Sequence, residues 1–224
     1  MSAEPCITAD QSEVDTAMME RCIALSASAT ERGELPFAAL VAEGTRVVAE
    51  TTNCVLQSAD VTRHAESTAI SEAQQALGRK DLTGCTIYSN VEPCVMCSFP
   101  MRETRISRVI FAINSPMMGG FSKWNVLRDT EICDVMPEAF GPVPEVIVGL
   151  LREEAEQVWK KWNPVAWAVI KYRGCFDAGE TAHDCEHMAA IPQPRSLMRT
   201  LTLLHQNRHS FRRGRSTNGR NGHS

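Results

Sequence analysis

The chain opens on a polar stretch and then repeats apolar positions at helical spacing. Val14, Ala17, Met18, Cys22 and Leu25 fall on one stripe, which predicts an amphipathic helix over Asp15–Thr30. Two apolar, β-rich runs follow, Phe37–Glu43 and Arg46–Thr52, split by Glu43-Gly44-Thr45, and these read as a hairpin. His64–Leu77 returns to helical spacing, with Ala65, Ala69, Ala73 and Ala76 in register and Gly78 as a stop. Thr86–Ser89 reads as a strand. Cys94–Glu103 reads as a helix opened by Pro93 and kinked or shortened at Pro100. Arg108–Ile113 and Glu145–Leu150 are further strands, and Arg152–Trp162 is a closing helix.

Helices alternating with strands in this order predict an α/β domain with helices on both faces of one sheet. Residues 114–144 are too long for a plain connection and are expected to form a functional loop with short helices of its own. Beyond Asp177 the periodicity fades, and the last twenty residues contain no acid. The organisation expected is an N-terminal extension (1–12), one domain (13–176) and a weakly ordered tail (177–224).

Charge sharpens this division. Residues 1–176 carry 16 Lys and Arg against 23 Asp and Glu, a balance of −7, whereas 177–224 carry 7 against 4, or +3. An acidic body argues against a broad phosphate-binding surface, which relies on basic side chains to displace counterions. Nine cysteines in 224 residues do not make a disulfide scaffold in a chain with an ample core. No basic segment leads into an apolar one at the start, and no run of 18 apolar residues occurs. A cytoplasmic protein without membrane contact is expected, with Cys6, Cys22, Cys54, Cys85 and Cys133 behaving as small buried hydrophobes.

The chemistry concentrates in His64-Ala65-Glu66 and Pro93-Cys94-Val95-Met96-Cys97. A zinc ion that activates water needs three protein ligands and one open position. His64 at one helix start, with Cys94 and Cys97 at the next, supplies that count. The i, i+3 spacing puts both sulfurs on one side of the first turn, where the helix N-terminus favours thiolates. Glu66, two residues beyond the histidine, is placed to act as general acid and base without being a ligand. His64 is the sole histidine before residue 183, so it is no member of a scattered surface set. A structural zinc knuckle would need a fourth ligand, and a redox pair would need neither His64 nor Glu66. The tail's His183-Asp184-Cys185-Glu186-His187 is read as incidental, and its terminal arginines as solvated.

His-Ala-Glu followed about thirty residues later by Pro-Cys-x-x-Cys resembles the zinc-dependent cytidine/deoxycytidylate deaminase superfamily. The surrounding residues resemble the branch of cytosine deaminase, guanine deaminase and tRNA adenosine deaminase. They are Glu34-Leu35-Pro36-Phe37, Asn53, Glu92-Pro93-Cys94-Val95-Met96-Cys97, and Arg108–Phe111 with Gly119-Gly120. The resemblance spans residues 13–163. It implies a three-layer α/β/α cytidine deaminase-like fold with a mixed five-stranded sheet, one Zn2+ per chain on His64, Cys94 and Cys97, and Glu66 as the catalytic proton carrier. It also implies substrate contacts at Asn53, Phe37 and Ala65, and a homodimer. The reaction implied is hydrolytic replacement of an amino group by a carbonyl, with ammonia released. Where the tRNA-acting members carry an aspartate beyond the strand, this chain has Ser115. A small base, nucleoside or related aminoheterocycle is therefore the expected substrate. Adenosine-to-inosine conversion in a tRNA anticodon loop is the alternative, and a non-catalytic zinc-bearing partner subunit the third reading.

Overall fold

The computed structural model describes residues 9–176. The tail, its His183–His187 cluster, Cys6 and most of the N-terminal extension lie outside the described residues. In chain order the elements are α1 (Ala9–Glu31), β1 (Ala38–Glu43), β2 (Arg46–Thr52), α2 (Val55–Ser58), α3 (Ala65–Leu77), β3 (Cys85–Val91), α4 (Val95–Glu103), β4 (Arg108–Ile113), α5 (Glu131–Val135), β5 (Glu145–Val148), α6 (Arg152–Trp162) and α7 (Pro164–Tyr172).

The strands form one sheet in the order β2-β1-β3-β4-β5. β1 pairs antiparallel with both β2 and β3, whereas β3–β4 and β4–β5 are parallel. A bulge near Val41 and Ala42 shifts the hairpin register, so Val41 faces Ala49 but Ala42 faces Val47. Alternation along the strands sorts side chains onto two cores. Ala38, Leu40, Ala42, Tyr88, Ile110 and Ala112 face α1 and α6. Ala39, Val41, Ile87, Val109 and Phe111 face α3 and α4. The sheet is thus covered on both sides, as the three-layer expectation requires. The sheet is mixed and five-stranded, as the resemblance implies.

Several boundaries depart from expectation. α1 begins at Ala9, before Asp15, and β3 extends to Cys85 and Val91 because every one of its residues is buried. Pro100 neither ends nor shortens α4, which runs through it to Glu103. The carbonyl it deprives of a donor is that of Met96, a residue on the exposed side of the helix, where water can serve instead. α7 went unpredicted, although Asn163 caps it by accepting from the Val165 and Ala166 amides and Pro164 opens its first turn. Of the four described cysteines expected in the core, Cys22 and Cys85 are buried, while Cys54 and Cys133 are partly exposed because each sits in or beside a short surface helix.

Two polar devices tie the layers together. Arg102 of α4 is fully buried and donates to the carbonyls of Val126, Asp129 and Gly141, pinning the middle and the C-terminal end of the 114–144 insert. Asp15 of α1, 3% exposed, takes a two-pronged bond from Arg108 of β4 at 2.9 and 2.7 Å and the Tyr88 hydroxyl of β3 at 2.6 Å. Arg108 also donates to Glu145 of β5 at 2.7 Å. Burial alone would raise the Asp15 pKa, but the bonds from Arg108, Tyr88 and Gln11 outweigh it and hold the carboxyl below its ordinary range.

A carboxyl held low stabilises the fold above the ordinary carboxylate pKa of about 3.9 and stops doing so as pH falls through its folded value. Asp15→Asn is expected to cost about 2–4 kcal/mol at pH 7, since it removes the buried carboxylate and leaves Arg108 only the half-buried Glu145 as an acidic partner. In denaturant titrations the gap between wild type and variant should close as pH drops from 7 to below 3. A gap that is constant over that range would show that the carboxylate charge is not what ties α1 to the sheet.

Candidate active site

Strand direction decides where the functional residues gather. β2 runs antiparallel to β1, which runs antiparallel to β3, so β2, β3, β4 and β5 all point the same way. Their carboxyl ends share one edge of the sheet, the usual ligand-binding edge of open α/β sheets. Asn53 follows β2, Glu92–Cys94 follow β3 and Ser115 follows β4, while Phe37 immediately precedes β1. Residues 16–78 positions apart in sequence are brought to one place by topology alone.

His64 is the residue before α3 and Cys94 the residue before α4, each with extended backbone at its helix's entrance. Cys94 Sγ lies 3.5 Å from His64 Nδ1, Cys97 Sγ lies 3.6 Å from it, and the two sulfurs are 3.6 Å apart. A tetrahedral ion with Zn–S of about 2.3 Å and Zn–N of about 2.0–2.1 Å holds its sulfurs about 3.8 Å apart and sulfur and nitrogen about 3.6 Å apart. The observed triangle fits that requirement on all three edges. No other His, Cys, Asp or Glu joins these three as a potential metal cluster among the described residues. The donor set, one imidazole and two thiols, is one that zinc favours.

The two thiols share a hydrogen bond, and their acidities separate accordingly. That bond from Cys97, with His64 beside it, holds Cys94 down to about 4 despite burial. The same bond, then burial, pushes Cys97 up. The Ser67 hydroxyl, 3.3 Å from Cys97 Sγ, supports the sulfur from α3. His64 is raised above its ordinary value, first by its bond to Cys94.

Glu66 is buried at the first turn of α3, with Oε2 3.6 Å from Cys97 Sγ. Burial, then the charge on Cys94, push its carboxyl up to about 7, against the pull of its own backbone amide, His64 and Cys97. The Ser89 hydroxyl sits 3.5 Å from Oε1 but donates at 2.7 Å to the Val91 carbonyl. No strong donor therefore fixes the carboxyl, which has the acidity a proton carrier needs near neutral pH.

The site opens into a cavity of about 140 Å³ lined by Leu35, Phe37, Asn53, Val91, Met118 and Phe176, among others, with His64, Glu66 and Cys94 at one side. Asn53 and Phe37, the substrate contacts that the resemblance implies, both line this cavity. Ala65 does not line the cavity. It is packed in the α3 core, and its carbonyl accepts the Thr51 hydroxyl at 2.6 Å.

Glu92 escaped sequence reasoning except as part of the motif. Its buried carboxylate accepts from the amides of Ser115, Phe121 and Ser122 and from the Ser122 hydroxyl, at 2.6–3.0 Å. This gathers the loop after β4 around the metal ligands. Gly120 N donates to the Pro93 carbonyl, and Cys94 bridges to Gly119. A Cβ at Gly119 would collide with the Glu92 carboxylate, so only glycine permits the approach. Ser115 in turn donates to the Cys175 carbonyl at 3.2 Å, next to Phe176 at the cavity wall. The sequence signal for both was the acid beside the motif and the glycine pair, neither of which names its partner.

The family model described as cytidine and deoxycytidylate deaminase zinc-binding region matches residues 12–113. A tRNA-specific adenosine deaminase of Aquifex aeolicus is 35% identical over 118 residues, 52% of this chain and 78% of that protein. A probable cytosine deaminase of Schizosaccharomyces pombe is 32% identical over 179 residues, 75% of this chain and 96% of that protein. A solved structure from work on A-to-I editing by tRNA:A34 deaminases has a TM-score of 0.54 at 31% identity, covering 64% of this chain and 99% of that one. With a metal triangle of the right size at the same motif, the chain belongs to the zinc-dependent cytidine and deoxycytidylate deaminase family, hydrolases of C–N bonds.

Proposed function

We propose that this deaminase acts on a free nucleobase or similarly small aminoheterocycle, replacing its exocyclic amino group by a carbonyl and releasing ammonia. The observation that carries this reading is the size and enclosure of the cavity. At about 140 Å³, with Phe37, Met118 and Phe176 on its walls, it suits one flat ring system. Pockets for larger ligands run to about 300–1,000 Å³. The acidic body adds support, since an RNA substrate would meet a net −7 over residues 1–176.

His64, Cys94 and Cys97 would hold the zinc, which would make water a usable nucleophile near neutral pH. Glu66 takes a proton from the attacking water, hands it to the ring nitrogen next to the reacting carbon, and serves the departing amine in the same way. Water supplies the oxygen, and the amino group leaves as ammonia, so the reaction consumes no other reagent. The enclosing apolar walls exclude bulk water and strengthen the polar contacts inside. Asn53 supplies a polar contact to the ring, and Phe37 an apolar wall.

A second reading, adenosine in a tRNA anticodon loop, draws support from the identity to tRNA-specific adenosine deaminases. Ammonia assays on cytosine, guanine and adenine, run beside inosine analysis of tRNA, separate the two. Release from a free base with no inosine in tRNA is expected, and the reverse result transfers the assignment to tRNA. Stoichiometric zinc with neither activity would point to a non-catalytic subunit. Homodimerisation belongs to the same proposal, supported by the exposed Met96 and Phe99 on α4. Light scattering that finds only monomer overturns it.

Glu66→Ala is expected to retain one zinc per chain and the fold but to lose about 10³-fold or more in kcat. Zinc loss on this substitution, read by metal analysis, would make Glu66 a ligand and remove it as the proton carrier. His64→Ala and Cys94→Ala should each lose stoichiometric zinc, and melt at lower temperature than the zinc-loaded wild type. Full zinc occupancy in both would contradict the ligand assignment.

A further inference from the structure

Glu34 lies in the loop between α1 and β1 and is 1% exposed. No basic side chain pairs with it among the described residues. Its carboxylate is instead used twice from within: Oε1 accepts the backbone N–H of Gln57 in α2 at 2.7 Å, and Oε2 accepts Nδ2 of Asn53 at 3.0 Å. A carboxylate in this setting offers only acceptors. The Asn53 amide, which could otherwise sit either way round, must therefore turn its nitrogen to Glu34. Asn53 is itself 3% exposed and lines the cavity beside His64 and Glu66. Its Oδ1 takes no hydrogen bond from any described residue. Among the described residues the buried polar atoms without partners are Arg102 Nε and Trp159 Nε1, so this oxygen is not sealed in and faces the cavity that Asn53 lines.

We propose that Glu34 is a positioning residue that sets the hydrogen-bond polarity of the pocket. By holding the nitrogen of Asn53 it presents the oxygen to the ligand, and so selects aminoheterocycles that offer an N–H at that edge. A free base has such a ring N–H where its nucleoside carries the sugar. The inference rests on the reading that the pocket takes a free base, and it adds the residue that enforces the choice from outside the cavity.

Glu34→Gln tests it, because the Gln57 amide is backbone and cannot invert. The new side chain keeps its oxygen on Gln57 and points its NH2 at Asn53. Two donors then oppose each other, and the Asn53 amide flips, putting a donor where the substrate also donates. The expected result is a loss of about 30–100-fold in kcat/KM, carried mainly by KM, at unchanged zinc stoichiometry. Adding Asn53→Asp to Glu34→Gln should restore about tenfold. The aspartate accepts the introduced NH2 with one oxygen and offers the other to the cavity. A purely structural role for Glu34 predicts that the double variant is no better than the single one, and that outcome overturns the proposal.

A second measurement does not depend on turnover. In 15N-labelled, zinc-loaded full-length protein, the Asn53 side-chain amide, assigned by its loss in Asn53→Asp, should show one proton shifted downfield by its carboxylate partner. Glu34→Gln should abolish that shift. An Asn53 signal without the shift, or one unchanged by Glu34→Gln, refutes the assignment. Should the wild type release ammonia from none of cytosine, guanine and adenine, the free-base reading falls, and the amide signal then decides for or against Glu34.

Discussion

The structure turns on bringing an imidazole and two sulfurs within about 3.6 Å of one another at the entrances of two helices. That arrangement is costly without an ion. One thiol is pushed toward ionisation, its neighbour is forced to keep a proton, and the buried Glu66 carboxyl feels the charge beside it. A divalent cation is the natural counterpart of such a cluster. The helices can be aimed this way because α3 and α4 pack side by side on one face of the sheet, through Ala65, Ala69, Ala73, Cys97 and Met101. Small side chains on α3 allow that close approach. The opposite face, with α1, α6 and the Trp159 cluster, contributes no ligand and serves as the rigid backing.

Three buried carboxylates do different work around this centre, and their partners explain why. Glu92 is saturated by amides and a hydroxyl, and so acts as a fixed staple for the loop after β4. Glu34 is held by one backbone amide and the Asn53 side chain, which makes it an orienting group. Glu66 meets the Ser89 hydroxyl and the Cys97 thiol only at 3.5 and 3.6 Å, and burial, against the pull of its own amide, moves its acidity to about 7. Full hydrogen bonding fixes the Glu92 carboxylate in place even though burial raises its pKa, whereas the longer contacts around Glu66 leave that carboxyl able to exchange protons. The same residue type thus serves as staple, pointer and proton carrier according to the donors within reach.

Much of this was legible in the sequence, for specific reasons. The hairpin, α3, α4, β4 and α6 announce themselves through local periodicity and stops such as Gly78, which adopts the left-handed conformation at φ 63°. His64, Cys94 and Cys97 are legible because metal ligands obey spacing rules that survive without the fold. Glu34 and Arg102 are not, since their roles depend on partners 19–39 positions away that only the folded chain supplies. Pro100 misleads because the propensity rule prices a lost hydrogen bond without knowing that the residue whose carbonyl is freed, Met96, lies on the exposed side of the helix. α7 escapes prediction despite its Asn163-Pro164 start, because an Asn-Pro pair signals a turn as readily as a helix cap.

The cavity wall shows how a common scaffold becomes particular to one chain. Its floor, His64, Glu66 and Cys94, sits on helix starts that the fold fixes. Its walls come from segments with far fewer constraints: Leu35 and Phe37 before β1, Met118 after β4, and Phe176 beyond α7. Phe176 is anchored twice, by edge-on and tilted packing against Trp159, Trp167 and Phe37, and by the neighbouring Cys175 carbonyl that Ser115 grips. Ser115 in turn hangs from Glu92, the residue two places before the first cysteine ligand. The cavity wall is therefore linked through Cys175, Ser115 and Glu92 to the segment that carries Cys94. Residues 115 and 176 thus shape the cavity together, one through a hydrogen bond and the other through ring packing.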